Sequence, residues 1–535
     1  MRNLYLLICI LLISLNSFAQ QLNYPLTNPY FSNLEKELYS PENNFHTAVK
    51  PWLLPEINRI ISTDSLEDLH KKKSAFSQKL YNWAWNRLLN QHFVDIKKDG
   101  FHFTVDPVFN FELGKDIEQN NGSKYVNTRG FLVEGRLGKD FSFSTTFYEN
   151  QATFIDYLDK SIRKGWVVPG QGGVKSFGKN GFDYAWASGY ISYTPSKYFN
   201  IQFGHGKNFI GDGYRSLLLS DNSFNYPYLK ITTNLWHFKY VNLYAEFQDL
   251  KSAHTYELGF RKKYGTFHYL SYAVNKRLNI GIFEAVIWQA QDSSGYRGFD
   301  INYLNPVIFY RPVEFSLGSP DNALLGLNVS YKLAQNYVLY GQLMLDEFKI
   351  KEITSGNGWW GNKQAFQLGV KSYDFLNVKN LYLQTEYNFV RPYMYSHGTS
   401  IQNYGHYNQS LAHPTGANFS ESVSIIKYNY KRFFAEYKIN YIVYGADSAN
   451  INYGKDISRS YNDHPNEYGN FVGQGIKTTL IYNDLKLSYL INPKTNFNIT
   501  LGITNRSESS SIANNNSTYV YLGLRTSLHN FYYDF

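Results

Sequence analysis

From Phe101 to Phe535, apolar residues return at every second position in run after run of about ten residues. Leu381, Leu383, Thr385, Tyr387 and Phe389 alternate with Tyr382, Gln384, Glu386 and Asn388. Phe433, Ala435, Tyr437, Ile439 and Tyr441 alternate with Phe434, Glu436, Lys438 and Asn440, and Phe497, Ile499, Leu501 and Ile503 with Asn498, Thr500, Gly502 and Thr504. The same dyad sets Val241, Leu243, Ala245 and Phe247 against Asn242, Tyr244, Glu246 and Gln248. Many strands of this length, each with one apolar and one polar face, are what a transmembrane barrel needs. Lipid meets one face, a wet lumen meets the other, and closure leaves no unpaired backbone in the bilayer. Soluble sandwiches and propellers alternate too, but with shorter strands.

Composition supports the barrel. Tyr, Phe and Trp number 48, 39 and 9, yet mean hydropathy is -0.41, which leaves no room for a bundle of apolar helices. Rings in such surplus fit the aromatic girdles at the two membrane interfaces. Connectors alternate in length: Asn483-Asp484 and Thr194-Pro195-Ser196 read as tight turns, whereas 151–182, 393–422 and 445–471 read as long external loops. At about 24 residues per strand and loop, residues 99–535 give about 18 antiparallel strands. Phe531, Tyr533 and Phe535 resemble the terminal signal read by the barrel-insertion machinery. Val520, Leu522, Leu524 and Leu528 share the opposite parity, so a bulge is expected near His529.

Ahead of the barrel, Met1-Arg2-Asn3, the apolar run Leu4–Leu15 and Ser17-Phe18-Ala19 read as a signal peptide over 1–19. Cys9, the single cysteine, lies inside it, so a mature chain has no thiol for disulfides, cysteine catalysis or Cys-ligated zinc. Residues 20–98 read as a small helical periplasmic domain. Leu66, Leu69, Phe76, Leu80, Trp83, Ala84 and Leu88 follow helical spacing, Thr63-Asp64-Ser65 offers caps, and Pro51 and Pro55 mark a break around Trp52. Trp52, Trp83 and Trp85 are expected to pack there. A net charge of +9 without a long Lys/Arg run does not point to nucleic acid.

An 18-strand lumen is too wide for wall side chains to fill. Two segments break strand rules and are expected to fold into it as plugs, near 205–227 and 305–322. The first runs from Gly204-His205-Gly206 through Gly211-Asp212-Gly213-Tyr214-Arg215-Ser216 to Tyr226-Pro227. The second, Asn305-Pro306-Val307-Ile308-Phe309-Tyr310-Arg311-Pro312-Val313-Glu314-Phe315, carries two prolines that a central strand would not tolerate. Each is either an interior polar network or a sugar-contact site.

Gly206 to Asn222, with its Arg215-Ser216-Leu217 run and Ser220-Asp221-Asn222, resembles the motif region of Wzi-type capsule-assembly outer-membrane proteins. Asn279–Trp288, Asp300–Phe315 and Asp321–Gly326, with the opening Asp106-Pro107-Val108-Phe109-Asn110-Phe111, are more similar to the RemB-like gliding-motility branch. The resemblance spans about residues 100–330. It implies an outer-membrane barrel with surface polysaccharide and outer-membrane lipid as partners, and ties to motility or secretion machinery. It implies a polysaccharide-binding or plug site at Arg215, Asn222, Glu284, Asn305, Arg311, Glu314 and Asn322. Asp212 stands where the Wzi-type Gly-Pro-Gly turn has proline, which puts transfer of a ligand role in doubt.

Catalytic signals are thin. The 13 histidines lack His-Glu-x-x-His spacing, there is no Gly-x-Ser-x-Gly elbow, and Gly170–Ser176 lacks the glycine a phosphate loop places before lysine. Glu284, Asp300 and Glu314 could supply a glycosidase carboxylate pair, as acids in any large lumen could. Asn462–Glu467 carries oxygen donors suited to calcium, although a solvated loop explains them as well. The expectation is a noncatalytic barrel without cofactor or metal. The rival reading is a diffusion channel or transporter.

Overall fold

The computed structural model describes residues 22–27, 31–68, 70–72, 79–119, 122–250, 259–292, 295–308, 321–526 and 528–535, with backbone alone for Lys79 and Leu80. The expected leader 1–19 and Leu69, Phe76, Arg311 and Glu314 lie outside the described residues.

Eighteen antiparallel strands close into one barrel. The first six are β1 (Phe101–Asp116), β2 (Ser123–Leu137), β3 (Phe141–Thr153), β4 (Gly181–Ser196), β5 (Phe199–Gly206) and β6 (Tyr226–Leu235). The next six are β7 (Phe238–Asp249), β8 (Arg261–Ala273), β9 (Leu278–Gln289), β10 (Asn322–Ala334), β11 (Tyr337–Leu345) and β12 (Gln364–Tyr373). The last six are β13 (Leu381–Val390), β14 (Phe419–Tyr430), β15 (Phe433–Ala446), β16 (Ile476–Asn492), β17 (Phe497–Ser510) and β18 (Asn514–Thr526). β18 closes on β1 from Tyr519↔Asp116 to Arg525↔Asn110. Turns at one rim are short, as at 197–198, 335–336 and 431–432, while 154–180, 391–418 and 447–475 are long connectors at the other.

Asn483-Asp484 is not a turn: it lies inside β16. Asn483 faces outward and accepts a hydrogen bond from Tyr437 at 2.9 Å, while Asp484 faces inward and pairs with Lys486 at 2.6 Å. Polarity on both faces imitated a turn. The turn after β4 is Lys197-Tyr198, so Thr194-Pro195-Ser196 is the end of the strand.

On β13, β15 and β17 the dyad points as expected, whereas β14 turns Val423 and Ile425 inward and Ser422 outward. Tyr387, Phe433, Leu485 and Ile499 are exposed on the outer face, while Glu386, Asn388, Asn440 and Asn498 are buried inside. On β7 it points the other way. Val241, Leu243, Ala245 and Phe247 face inward in the main apolar core, and Tyr240, Asn242 and Tyr244 face outward.

The final strand ends by Thr526, and residues 528–535 leave the sheet and enter the barrel. The parity change reflects this departure; there is no bulged strand at His529, which instead packs on Trp186 at 4.3 Å. Phe531, Tyr533 and Phe535 are therefore not an outward strand face.

Helices α1 (Phe31–Leu38), α2 (Leu54–Asn58), α3 (Thr63–Asp68) and α4 (Lys79–Leu89) precede the barrel. Leu34, Leu38, Phe45, Trp52 and Ile57 form a small core, with Trp52 stacked on Phe31 at 5.0 Å. Trp83, by contrast, is 56% exposed and does not pack. The segment holding α1 is lodged against the barrel wall. Glu35 pairs with Lys371 of β12 at 3.0 Å, and Val49–Lys50 pairs as a short strand with Phe209–Ile210.

Candidate functional site

Four stretches meet in the lumen: the segment around α1, residues 207–225, residues 393–418 and residues 528–535. Their centre is Arg215, whose side chain is 1% exposed. Its guanidinium pairs with Glu421 of β14 at 2.9 Å and with Asp534 at 3.0 Å, and lies over the rings of Tyr214 and Tyr532. Asp534 also accepts from Lys438 of β15 at 2.7 Å, Tyr214 at 2.8 Å and Asn440 at 3.0 Å. His413 contacts Glu421 at 2.6 Å. Glu386 of β13 accepts the backbone amides of Tyr214 at 2.8 Å and Arg215 at 3.2 Å. A Cβ on Gly213 would stand 2.7 Å from the Arg215 backbone carbonyl and also crowd the Glu386 carboxylate, so glycine is what lets the loop come this close.

Removing one partner from such a buried set strands the others without water, which is why the charges interlock. Burial would raise the Asp534 carboxyl, but Arg215 and Lys438 hold it well below the usual carboxylate range. Burial lowers His413 against the pull of Glu421.

The same loop is fixed along its length. Asp212 accepts from Thr47 at 2.6 Å, from Asn328 of β10 at 2.9 Å, and from Tyr39. The residue that departs from the Wzi-type turn thus ties the chain ahead of the barrel into the lumen, a bond proline could not make. Leu217, Leu218 and Leu219 enter the apolar core facing β7–β9. Asn222 donates to the Ser410 carbonyl at 3.1 Å, and Asp221 accepts from Tyr532 at 2.7 Å and Asn530 at 3.0 Å.

The seven residues singled out in the sequence do not form one site. Arg215 and Asn222 are in the lumen, and Asn322 joins them there, donating to the Gln402 carbonyl at 2.9 Å. Glu284 faces the outer side of β9, 3.5 Å from His268 and buried. Asn305 is exposed on that same outer side, so the described part of the expected second plug, 305–308, is not lumenal. Arg311 and Glu314 lie outside the described residues. Asp300 pairs with Arg297 at 2.8 Å and caps the turn 301–304, a structural use of the carboxylate.

Sequence reasoning missed Glu421, Lys438 and Asp534. Lys438 is an inward member of an alternating strand, and its parity was the signal available; Glu421 shares its inward parity with Phe419, Val423 and Ile425, so alternation gave no sign of it. Asp534 hid among aromatics that looked like strand.

Two cavities stand out among the described residues. One of about 460 Å³ runs between residues 528–533 and the inner faces of β14–β18, lined by Lys427, Glu436, Tyr482, Lys486 and Tyr521. A second, of about 370 Å³, sits toward the long-connector rim among Tyr157, Lys160, Lys164, Tyr444, Lys455 and Arg506, with Glu508 as its one acid. Nearby in the long connectors, Trp360 stacks on His464 at 4.4 Å and lies 5.0 Å from Tyr461. Glu467 accepts from the Trp359 indole at 2.8 Å, so this acid of the 462–467 loop serves the aromatic cluster.

No protein-family model matches the chain, and no curated protein matches it by sequence. Among solved structures it is similar to Wzi of Escherichia coli, described as a carbohydrate-binding β-barrel of the outer membrane involved in group 1 capsule assembly. That alignment covers 94% of this chain and 100% of Wzi at 12% identity, with a TM-score of 0.54. It is more distantly similar to OprD of Pseudomonas aeruginosa (11% identity, 79% and 94% coverage, TM-score 0.42) and to OpdK of the same organism with vanillate (9%, 79% and 98%, 0.43). The closed 18-strand architecture is that of outer-membrane barrels.

Proposed function

We propose that this is a noncatalytic outer-membrane barrel that holds surface polysaccharide, acting in capsule or exopolysaccharide attachment or in gliding over surfaces. The observation that carries the reading is the filled lumen: the Arg215–Glu421–Asp534 network binds loop, tail and wall into one body, which suits a protein that holds a polymer at its mouth. The long connectors offer the contacts. Trp360, Tyr461 and His464, packed on one another and partly exposed, form an aromatic platform for sugar stacking, and Lys160, Lys164 and Arg506 surround a cavity that accepts hydroxyl or carboxylate groups. The likeness in fold to a carbohydrate-binding barrel supports this choice. Outer-membrane lipid and the barrel-insertion machinery are the other partners, with motility or secretion proteins at the short-turn rim.

Purified protein is expected to retain labelled polysaccharide from its own cell surface, with loss on substituting Trp360→Ala together with Arg506→Ala. Gene deletion should reduce capsule retention or spreading and leave polymer synthesis intact. No retention by folded protein, with an unchanged surface in the deletion strain, would overturn the proposal. The second reading, a diffusion channel, is favoured by the 460 Å³ cavity beside the tail and is separated by conductance.

A further inference from the structure

Residues 298–308 run along the outside of the barrel. The Trp288 indole of β9 donates to the Gly298 carbonyl at 3.1 Å, and Tyr303 packs against Tyr264, Val286 and Trp288. Farther along, outward-facing side chains of the wall serve the backbone of this segment. Thr266 donates to the Tyr303 carbonyl at 3.2 Å, Tyr244 to Leu304 at 3.0 Å, and Tyr240 to Pro306 at 2.5 Å. Asn242 adds a longer contact to Pro306 at 3.4 Å. Beneath lie His268 and Glu284, both buried although they face away from the lumen.

The register gives the descent. Trp288 pairs with Tyr264 and Tyr264 with Glu246, and Tyr240 lies six positions further along β7. At about 3.3 Å per residue that is roughly 20 Å along the strand and, for strands tilted about 40°, roughly 15 Å of depth, more than half the height of an apolar belt. The surface this run turns away from the wall is mainly apolar, with Ile301 74%, Val307 63% and Leu304 39% exposed; the exposed Asn302 and Asn305 are hydrogen-bonded within the run, to Asp300 and to the Val307 amide.

We infer that residues 298–308 form a strap immersed in the membrane, pressed on β7–β9, and that acyl chains of the bilayer are the partner of its outer surface. Irregular backbone survives at membrane depth only where protein satisfies its polar groups. Tyr240, Asn242, Tyr244 and Thr266 do this for the strap carbonyls. In water those carbonyls would need no such partners. The strap's apolar outer surface also continues the exposed apolar face of neighbouring strands, such as Leu327 and Leu339 on β10 and β11. The inference does not depend on the polysaccharide reading.

The test uses the full chain with Cys9→Ser, reconstituted in phosphatidylcholine/phosphatidylglycerol vesicles, with spin labels at Ile301→Cys and Val307→Cys. Leu485→Cys on β16 serves as the lipid reference and Ser511→Cys in an exposed turn as the water reference. Both strap labels are expected to match Leu485, colliding freely with oxygen and at least several-fold less than Ser511 with a water-soluble nickel chelate. Nickel accessibility like that of Ser511 at either position would overturn the inference, because no other protein is present to cover the strap. A bimane attached to Val307→Cys, read by brominated-lipid quenching, gives an independent result: strong quenching supports immersion and none contradicts it.

Discussion

The wall made by β13–β17 and the wall made by β7–β9 solve opposite problems with the same dyad. Along β13–β17, Leu485 and Ile499 look out to lipid while Glu421, Lys438 and Asn440 look in at a charged interior. Along β7–β9, Leu243, Phe247, Phe267 and Phe283 look in at the leucines of residues 217–219, while Tyr240, Asn242 and Glu284 look out. The difference teaches that alternation fixes two faces without saying which is inside. What covers each face decides that: lipid on one side of the molecule, a strap of the chain's own backbone on the other.

The contrast can be broken at its strongest point first. Arg215→Ala should destabilise the folded barrel by about 3–5 kcal/mol, because Glu421 and Asp534 are left buried without their cation; the midpoint of urea unfolding in vesicles measures it. Leu243→Ala should cost about 3–5 kcal/mol, since a well-packed site combines lost transfer energy with a cavity. Leu485→Ala, on the outer face of the other wall, should cost only about 2 kcal/mol, because lipid closes the gap and the transfer part alone remains. Equal losses at the two leucines would erase the distinction between the walls. Tyr244→Phe removes the wall's hydrogen bond to the Leu304 carbonyl of the strap and should cost about 1–2 kcal/mol, read from the same urea midpoint.

The smallest effect is in pH. Asp534 has a folded-state pKa depressed below its unfolded value, so its stabilisation is complete above the unfolded pKa and is lost only as pH falls through the folded one. Anchoring of residues 528–535 should therefore be unchanged from pH 8 to pH 5 and weaken only in stronger acid, as followed by His529 ring signals or tail proteolysis. Release of the tail near pH 6 would contradict the assignment.

Barrel class and strand number were legible because period two, repeated over long runs, has few other uses. The inside of the barrel was legible only in part. Arg215 and Asn222 sit in a glycine-rich run whose irregularity could be seen, and both proved lumenal. Residues 305–308 break the strand pattern just as visibly, yet lie outside, because prolines and turns mark a departure from the sheet without giving its direction. Nothing local in Phe531–Phe535 distinguishes an aromatic strand from a tail that carries one buried aspartate between its rings. The pairings Asp534–Arg215 and Asp212–Tyr39 join positions 319 and 173 residues apart, and only closure of the barrel brings them together.

The claim that most of this rests on is that the interior is filled and held shut. Single-channel recording in planar bilayers tests it directly. The intact protein should give little or no steady current, and deletion of residues 528–535 should produce discrete openings along the 460 Å³ cavity it lines. Large, stable conductance steps from the intact protein would contradict the account and return the barrel to the channels.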